Sequence, residues 1–519
     1  MKPSNALCLL SSTASAFVLP HTTPNCTSFA TSVALGSFNA TFLNATYYSA
    51  DALNVSAVFN SVSFCEVYAS ISYGTGNDSL VFALWLPETL QYEGRFMAVG
   101  NGGMAGTIDY TNMLTQLNSG IGFCVAGGNA GHLASANNDG EGVYIPYLHD
   151  RAQITAWYHD AISLFTPAAK ALAATYYGKA ARYAYYDGCS TGGAQGFALA
   201  QYHPELFAGI VARSPGGWYS HLALSFLWNA QHTNKSSTNL TQAILNFTTA
   251  AVLDACDTLD GVQDRLIEDP LRCDFDIGSL ACSESYGSAL SNDTVNDTVE
   301  CLTADQIEAT KAIYAGPSRS DNGSNLYPGF SFGSEIEWLL QEGVLAEALS
   351  VPILQNLVYN NLSYDSNDFD WASDVADVDI KAGTLIDEIS PDLSAFRDQG
   401  GKMLITQGWA DPLNAATWTI DRLEQFQDIF GGDVSEFFNL FMVPGGGHCG
   451  AASYYPGVPA TYHTVSKLVQ WVERGEKPDE LLSSNPPDGS TTTRKLCAWP
   501  ATARYVSGDV DDWNSYICE

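Results

Sequence analysis

The sequence predicts an α/β protein with a mostly parallel sheet that is interrupted by one large inserted domain. Three observations predict it. Short apolar runs ending in glycine or proline recur at residues 79–87, 95–103 and 122–128, and further strand-like runs follow at 181–187 and 209–215, the first three with the near-continuous hydrophobicity of strands covered on both faces. Helix-like stretches alternate with these runs, which is the spacing of β-α-β units. A polar region rich in N-x-[ST] sequons, from about residue 218 to 391, separates them from two further runs at 402–412 and 436–450.

A chain of 519 residues exceeds the ~250–300 at which single cores stop growing, so two structural units are expected. Its 56 acids against 22 bases leave a formal charge of -34. That field repels phosphates and anionic lipid surfaces, so neither a nucleic acid nor a membrane is an expected partner.

Taken in order, the first residues carry Lys2, a short apolar segment and Ala14-Ser15-Ala16. This is the form of a secretory signal peptide, expected to span residues 1–16, and it implies a secreted, extracellular protein. Sequons at Asn25, Asn39, Asn44, Asn54, Asn77, Asn234, Asn239, Asn246, Asn292, Asn296, Asn322 and Asn361 agree with that route. Of the 12 cysteines, Cys8 leaves with the signal peptide, and the odd remainder predicts one free thiol. Cys124, inside an apolar run, is the candidate.

Residues 26–78, bracketed by Cys26 and Cys65, read as a disulfide-tied segment lying on the core. Residues 154–176 read as a helix that Pro167 should kink or divide. The 181–187 strand, a helix over about 193–203 and a strand at 209–215 give β-α-β order. In the inserted region, residues 302–314 read as an amphipathic helix, and near the C-terminus residues 463–475 read as another, ending in Gly475.

The chemistry centres on Gly188-Cys189-Ser190-Thr191-Gly192, a G-x-S-x-G run between a strand and a helix. Glycines on both sides permit a turn too sharp for bulky neighbours, leaving the serine hydroxyl exposed at the sheet edge. A serine needs a base to take its proton, and the base needs an acid to fix its tautomer. In an α/β-hydrolase fold these follow in the order Ser, Asp or Glu, His. His448, in a glycine loop directly after an apolar strand, is the expected base. Asp411, closing the 402–412 run, is the expected acid, with Asp421 as the fallback.

If Ser190 and His448 meet, their neighbours Cys189 and Cys449 must be close, and a Cys189–Cys449 disulfide is predicted. The oxyanion donors are expected to be the Thr191 amide and the glycine loop Asn101-Gly102-Gly103, with Gly103 as the donor; an ordinary tight turn is the other reading of that loop. Asp257, Asp260 and Asp264 around a glycine turn suit Ca²⁺, although an acidic surface loop has the same composition.

With these residues in place, the chain resembles the tannase and feruloyl esterase family of secreted fungal enzymes, from about residue 26 to the C-terminus. The motifs are Gly188 to Gly193, Gly408-Trp409-Ala410-Asp411-Pro412-Leu413, Gly447-His448-Cys449 and the 257–266 loop. The resemblance implies Ser190, Asp411 and His448 as a triad. It also implies a lid domain that binds Ca²⁺ through Asp257, Asp260, the Val262 carbonyl, Asp264 and the Leu266 carbonyl. Two stretches depart from the family pattern near the site: Ala194-Gln195, where Arg-Gln or Arg-Glu is common, and Ser214-Pro215-Gly216-Gly217, where Gly-Ala-Pro-Ala is expected.

The expected architecture is therefore an α/β-hydrolase domain over 17–217 and 392–519, with a lid over 218–391. The expected function is hydrolysis of phenolic, hydroxycinnamate-type esters, including esters linked to plant cell-wall polysaccharide. The alternatives are a tannase that cleaves gallate esters and a catalytically silent, calcium-dependent binding protein.

Overall fold

The computed structural model describes residues 26, 35–75, 78–132, 140–283, 299–387 and 390–519. The segment read as a signal peptide lies outside them, as do Asn25, Asn77, Asn292 and Asn296.

Nine strands make one sheet: β1 Ala40–Tyr48, β2 Phe64–Tyr73, β3 Asp78–Pro87, β4 Arg95–Val99, β5 Phe123–Gly128, β6 Tyr183–Cys189, β7 Gly209–Arg213, β8 Lys402–Gly408 and β9 Phe438–Val443. Their spatial order is β1-β2-β3-β5-β4-β6-β7-β8-β9. The pairs β1–β2, β2–β3 and β3–β5 are antiparallel. Every later pairing is parallel.

Side chains alternate across this sheet as a strand period of two requires. Phe96, Tyr186, Ile210 and Ile405 enter the core on one face. Met97, Tyr185, Val211 and Leu404 enter the core on the other. The central strands are buried on both faces, which is why they read as unbroken apolar runs.

Two expectations need correction. Residues 26–78 do not merely lie on the core, because β1 and β2 extend the sheet itself. β1 is mostly open to solvent on an edge, so its polar sequence hid a strand that needs little burial. Its partner β2 is largely buried. Pro167 does not divide its helix either: α2 runs unbroken over Ala161–Tyr177 with Pro167 inside it. The irregularity falls earlier, at Ala156–Asp160, where the chain winds as a wider π turn.

The parallel strands point their carboxyl ends at one edge, where ligands bind in open α/β sheets. Helix α1 (Tyr110–Asn118), capped by Asp109, and helix α3 (Thr191–Tyr202) both begin there.

The region between β7 and β8 holds α4 (Tyr219–Thr233), α5 (Gln242–Cys256) and α6 (Ala304–Ala315). It has a small core of its own that includes Leu240, Ile244, Leu302, Ile313 and Trp338. After β8 comes α7 (Thr417–Phe430), and after β9 comes α8 (Thr464–Arg474), closed by Gly475 in the left-handed conformation.

Candidate active site

Ser190 sits between the end of β6 and the start of α3 with φ 61° and ψ -124°, a costly conformation for a residue with a side chain. Three backbone bonds hold it there: its own N–H donates to Arg213 O at 3.0 Å, and its carbonyl accepts from Ala194 N at 3.1 Å and Gly216 N at 2.9 Å. Gly192 is required for space, since a Cβ there would lie 2.7 Å from Asn101 O.

His448 follows β9 in the glycine loop, and Asp411 follows β8. The His448 Nδ1 lies 3.0 and 2.9 Å from the two Asp411 carboxylate oxygens. Asp411 is 1% exposed and also accepts from Gln407 Nε2 and from the amides of Leu413 and Asn414. Burial pushes its carboxyl up, but the His448 imidazole and these amides outweigh that and hold it below the usual carboxylate range. The carboxylate therefore fixes the tautomer with a proton on Nδ1, leaving the Nε2 lone pair as a base.

Ser190, His448, Cys189, Cys449, Gly102 and Gly103 line one cavity of about 560 Å³. Among the described residues no hydrogen bond yet joins Ser190 Oγ to His448. Such bonds are often long in substrate-free enzymes and tighten in the complex. The predicted disulfide is present: Cys189 and Cys449 are bonded, with Cα atoms 5.8 Å apart across a separation of 260 residues. Cys124 is the free, buried thiol. Asp421 lies on α7 and belongs to a different cleft, away from His448.

Thr191 is the first residue of α3, so its N–H has no partner within the helix and lies at the helix's positive end. The 101–103 loop packs against the elbow, and Trp157 Nε1 donates to Gly103 O at 3.0 Å.

Sequence reasoning missed three supporting residues. Gln195 spans α3 and the glycine loop, accepting from Asn101 N at 3.2 Å and donating to Trp157 O at 2.7 Å. Ser214, with φ 38°, accepts from Cys449 N on Oγ and from Asn414 Nδ2 on its carbonyl. It thus joins the loops that carry His448 and Asp411. Arg213, on the cavity wall, pairs with the buried Asp187 at 3.0 Å. Gln195, Ser214 and Arg213 lie in or beside the two stretches that depart from the family pattern, and that was the available signal.

A model of the family described as "Tannase and feruloyl esterase" matches residues 65–519. The chain belongs to the tannase and feruloyl esterase family. It is 28% identical to a probable feruloyl esterase B-2 of Aspergillus oryzae over 95% of each chain. It is 30% identical to a probable feruloyl esterase of Arthroderma benhamiae over 88% of this chain and 86% of that one. The crystal structure of feruloyl esterase B from Aspergillus oryzae superposes with a TM-score of 0.83 at 26% identity, covering 95% of this chain and 99% of that chain. A tannin acyl hydrolase from Aspergillus niger has the same fold, with a TM-score of 0.71 at 21% identity over 93% and 92% of the two chains. As a tannase and feruloyl esterase family member, the chain is a carboxylic ester hydrolase.

The acidic loop is closed by Cys256–Cys273. Asp257 Oδ1 accepts from the amides of Asp264 and Arg265, Asp260 Oδ1 from Val262 N, and Asp264 Oδ1 from Leu266 N. Arg494 pairs with Asp260, Asp264 and Glu268. Burial nevertheless pushes the Asp260 carboxyl up to about 6. An all-oxygen donor set with incompletely balanced charge fits a hard cation in its chemistry, although the three aspartates do not gather into a tight cluster of ligand atoms among the described residues.

Proposed function

We propose that the protein hydrolyses hydroxycinnamate esters through an acyl-enzyme on Ser190. The observation that carries this reading is the mixed lining of the cavity around the serine. Tyr219, Leu222, Phe226, Leu345 and Leu349 of the inserted region supply its apolar part, while Asp109, Asn112 and Thr115 beside and on α1, with Arg213 at the end of β7, supply its polar part.

The aromatic and aliphatic part suits a phenyl-propenoyl group. A galloyl ring carries three hydroxyls that would meet this part with few partners, at the cost of leaving them unpaired. This favours a feruloyl esterase over a tannase. Polysaccharide-linked esters fit the polar part, whose hydrogen-bonding groups match a sugar alcohol.

In the proposed sequence, His448 Nε2 takes the Ser190 proton as Oγ attacks the ester carbonyl. The Thr191 and Gly103 amides hold the developing oxyanion. The protonated His448, steadied by Asp411, returns the proton to the leaving alcohol, and water repeats the cycle to release the acid. A strained serine and an Asp411-paired histidine lining one cavity argue against a silent binding protein.

Calcium, held by Asp257, Asp260, Asp264 and the Val262 and Leu266 carbonyls, would neutralise the acidic loop when bound. Export from the cell accounts for five disulfides in one chain, and no helix among the described residues is long and apolar enough to cross a membrane.

The test is acid release over methyl ferulate, methyl caffeate and methyl gallate by the wild type and Ser190→Ala. Turnover of ferulate well above gallate, abolished in Ser190→Ala, is expected. Preference for gallate, or full activity in the variant, would sink the reading.

A further inference from the structure

Trp218 and Tyr219 are adjacent in sequence, yet their side chains enter two different cavities. Tyr219 lines the Ser190 cavity. Trp218 lines a separate cleft of about 630 Å³ that none of Ser190, Asp411 and His448 lines. We propose that this cleft is a second binding site, for a neutral polysaccharide chain, with the Trp218 indole as its stacking platform.

The platform is built rather than incidental. Trp218 holds φ 50° and ψ 55°, a left-handed conformation that bulky residues adopt only when their surroundings impose it. The chain is tightly packed just before it, where a Cβ on Gly217 would lie 2.1 Å from the Trp418 ring. Trp218 is 37% exposed, and its indole stacks on the His221 ring at 4.0 Å and 16°. His221 is itself buried and tied on both nitrogens, to Leu326 O and to Asp379 Oδ1, each at 2.7 Å. An exposed aromatic ring is thereby held rigid over a cavity.

The remaining lining names the ligand chemistry. Tyr314 and Phe332 add aromatic surface, and Asn325, Thr417 and Asp421 add a carboxamide, a hydroxyl and a carboxylate. A pyranose ring has an apolar C–H face and a rim of hydroxyls, so it stacks on the first set while it bonds to the second. The chain's charge of -34 selects a neutral polysaccharide over an anionic one. One competing source of the same chemistry is the chain's own glycan. Asn322 is an exposed sequon residue whose Oδ1 accepts from Ser324 N, three residues before Asn325.

The proposal does not depend on the ester reading, and binding tests it directly. Wild type, Trp218→Ala and Trp218→Phe are run by affinity electrophoresis in gels containing soluble neutral arabinoxylan, before and after enzymatic removal of N-glycans. Their thermal midpoints serve as the check on folding. Wild type should be retarded, Trp218→Ala should bind about tenfold more weakly, and Trp218→Phe should fall between. Equal retardation of all three folded proteins would overturn the site. Retardation that appears only after the glycans are removed would also overturn it, giving the cleft to the Asn322 glycan. If Trp218→Ala fails to fold, the comparison rests on Trp218→Phe against wild type, where equal retardation is again fatal.

Discussion

Cys189 and Cys449 are bonded to each other, and they are the chain neighbours of Ser190 and His448. One covalent link therefore ties the residue beside the serine to the residue beside the histidine, although the two lie on separate strand ends. Closing a loop of that length is worth on the order of 5 kcal/mol in the loop-entropy model, less any strain. Replacing both cysteines by alanine should lower the thermal midpoint markedly. It should also reduce kcat on methyl ferulate more than it raises KM, because the histidine loop loses its register. An unchanged midpoint and kcat would show that packing alone holds the pair.

Asp411→Asn should cut kcat/KM by a factor on the order of 10⁴. An amide in place of the carboxylate can turn an N–H toward Nδ1, which favours the wrong imidazole tautomer. Steady-state kinetics on methyl ferulate check this, and a loss below tenfold would remove Asp411 from the triad.

Ser214→Ala removes the acceptor for Cys449 N–H and leaves a half-buried donor unpaired, at a cost of at most about 1–3 kcal/mol. A lower thermal midpoint together with a lower kcat is expected. Thermal unfolding and kinetics on one preparation separate this from a purely structural loss, in which kcat per folded molecule would stay constant.

Asp387 predicts a pH dependence. Burial pushes its carboxyl up to about 6, even though it accepts from the Ser220 amide and hydroxyl. The folded pKa thus lies above that of the unfolded chain, so the folded state holds this proton more tightly. Its contribution is fully present below about pH 4 and is lost as pH rises through 6, by at most about 3 kcal/mol before solvent screening. Asp387→Asn should be flatter than wild type over that window when urea midpoints are compared. Parallel curves would contradict it.

Chelation tests the acidic loop. A calcium chelator should lower the thermal midpoint, and added Ca²⁺ but not Mg²⁺ should restore it, because Mg²⁺ demands a tighter octahedral cage. A midpoint indifferent to both would mean that Arg494 alone balances Asp260, Asp264 and Glu268.

How much was legible in the sequence varied with the kind of constraint. Central strands such as β6 and β8 were visible because burial on both faces leaves an unbroken apolar run. β1 was not visible, because an edge strand with one solvated side carries the polar residues of a loop. Pro167 misled because its rule describes the local helix, whereas the surrounding core kept α2 continuous. Ser214 could be noticed only as a departure, and Gln195 only as the neighbour of one at Ala194, since nothing in a linear chain says which loops a buried amide or hydroxyl will join.

The sequence by itself determined the order of the central strands and helices, the candidate serine, aspartate and histidine, and the odd cysteine, because each depends on residue type and near spacing. Only the tertiary structure decided the mixed lining of the Ser190 cavity, the Ser214 junction and the outward turn of Trp218. These depend on which distant segments share a boundary, and close packing around fixed strand ends settles that through contacts that leave no periodic trace in the chain.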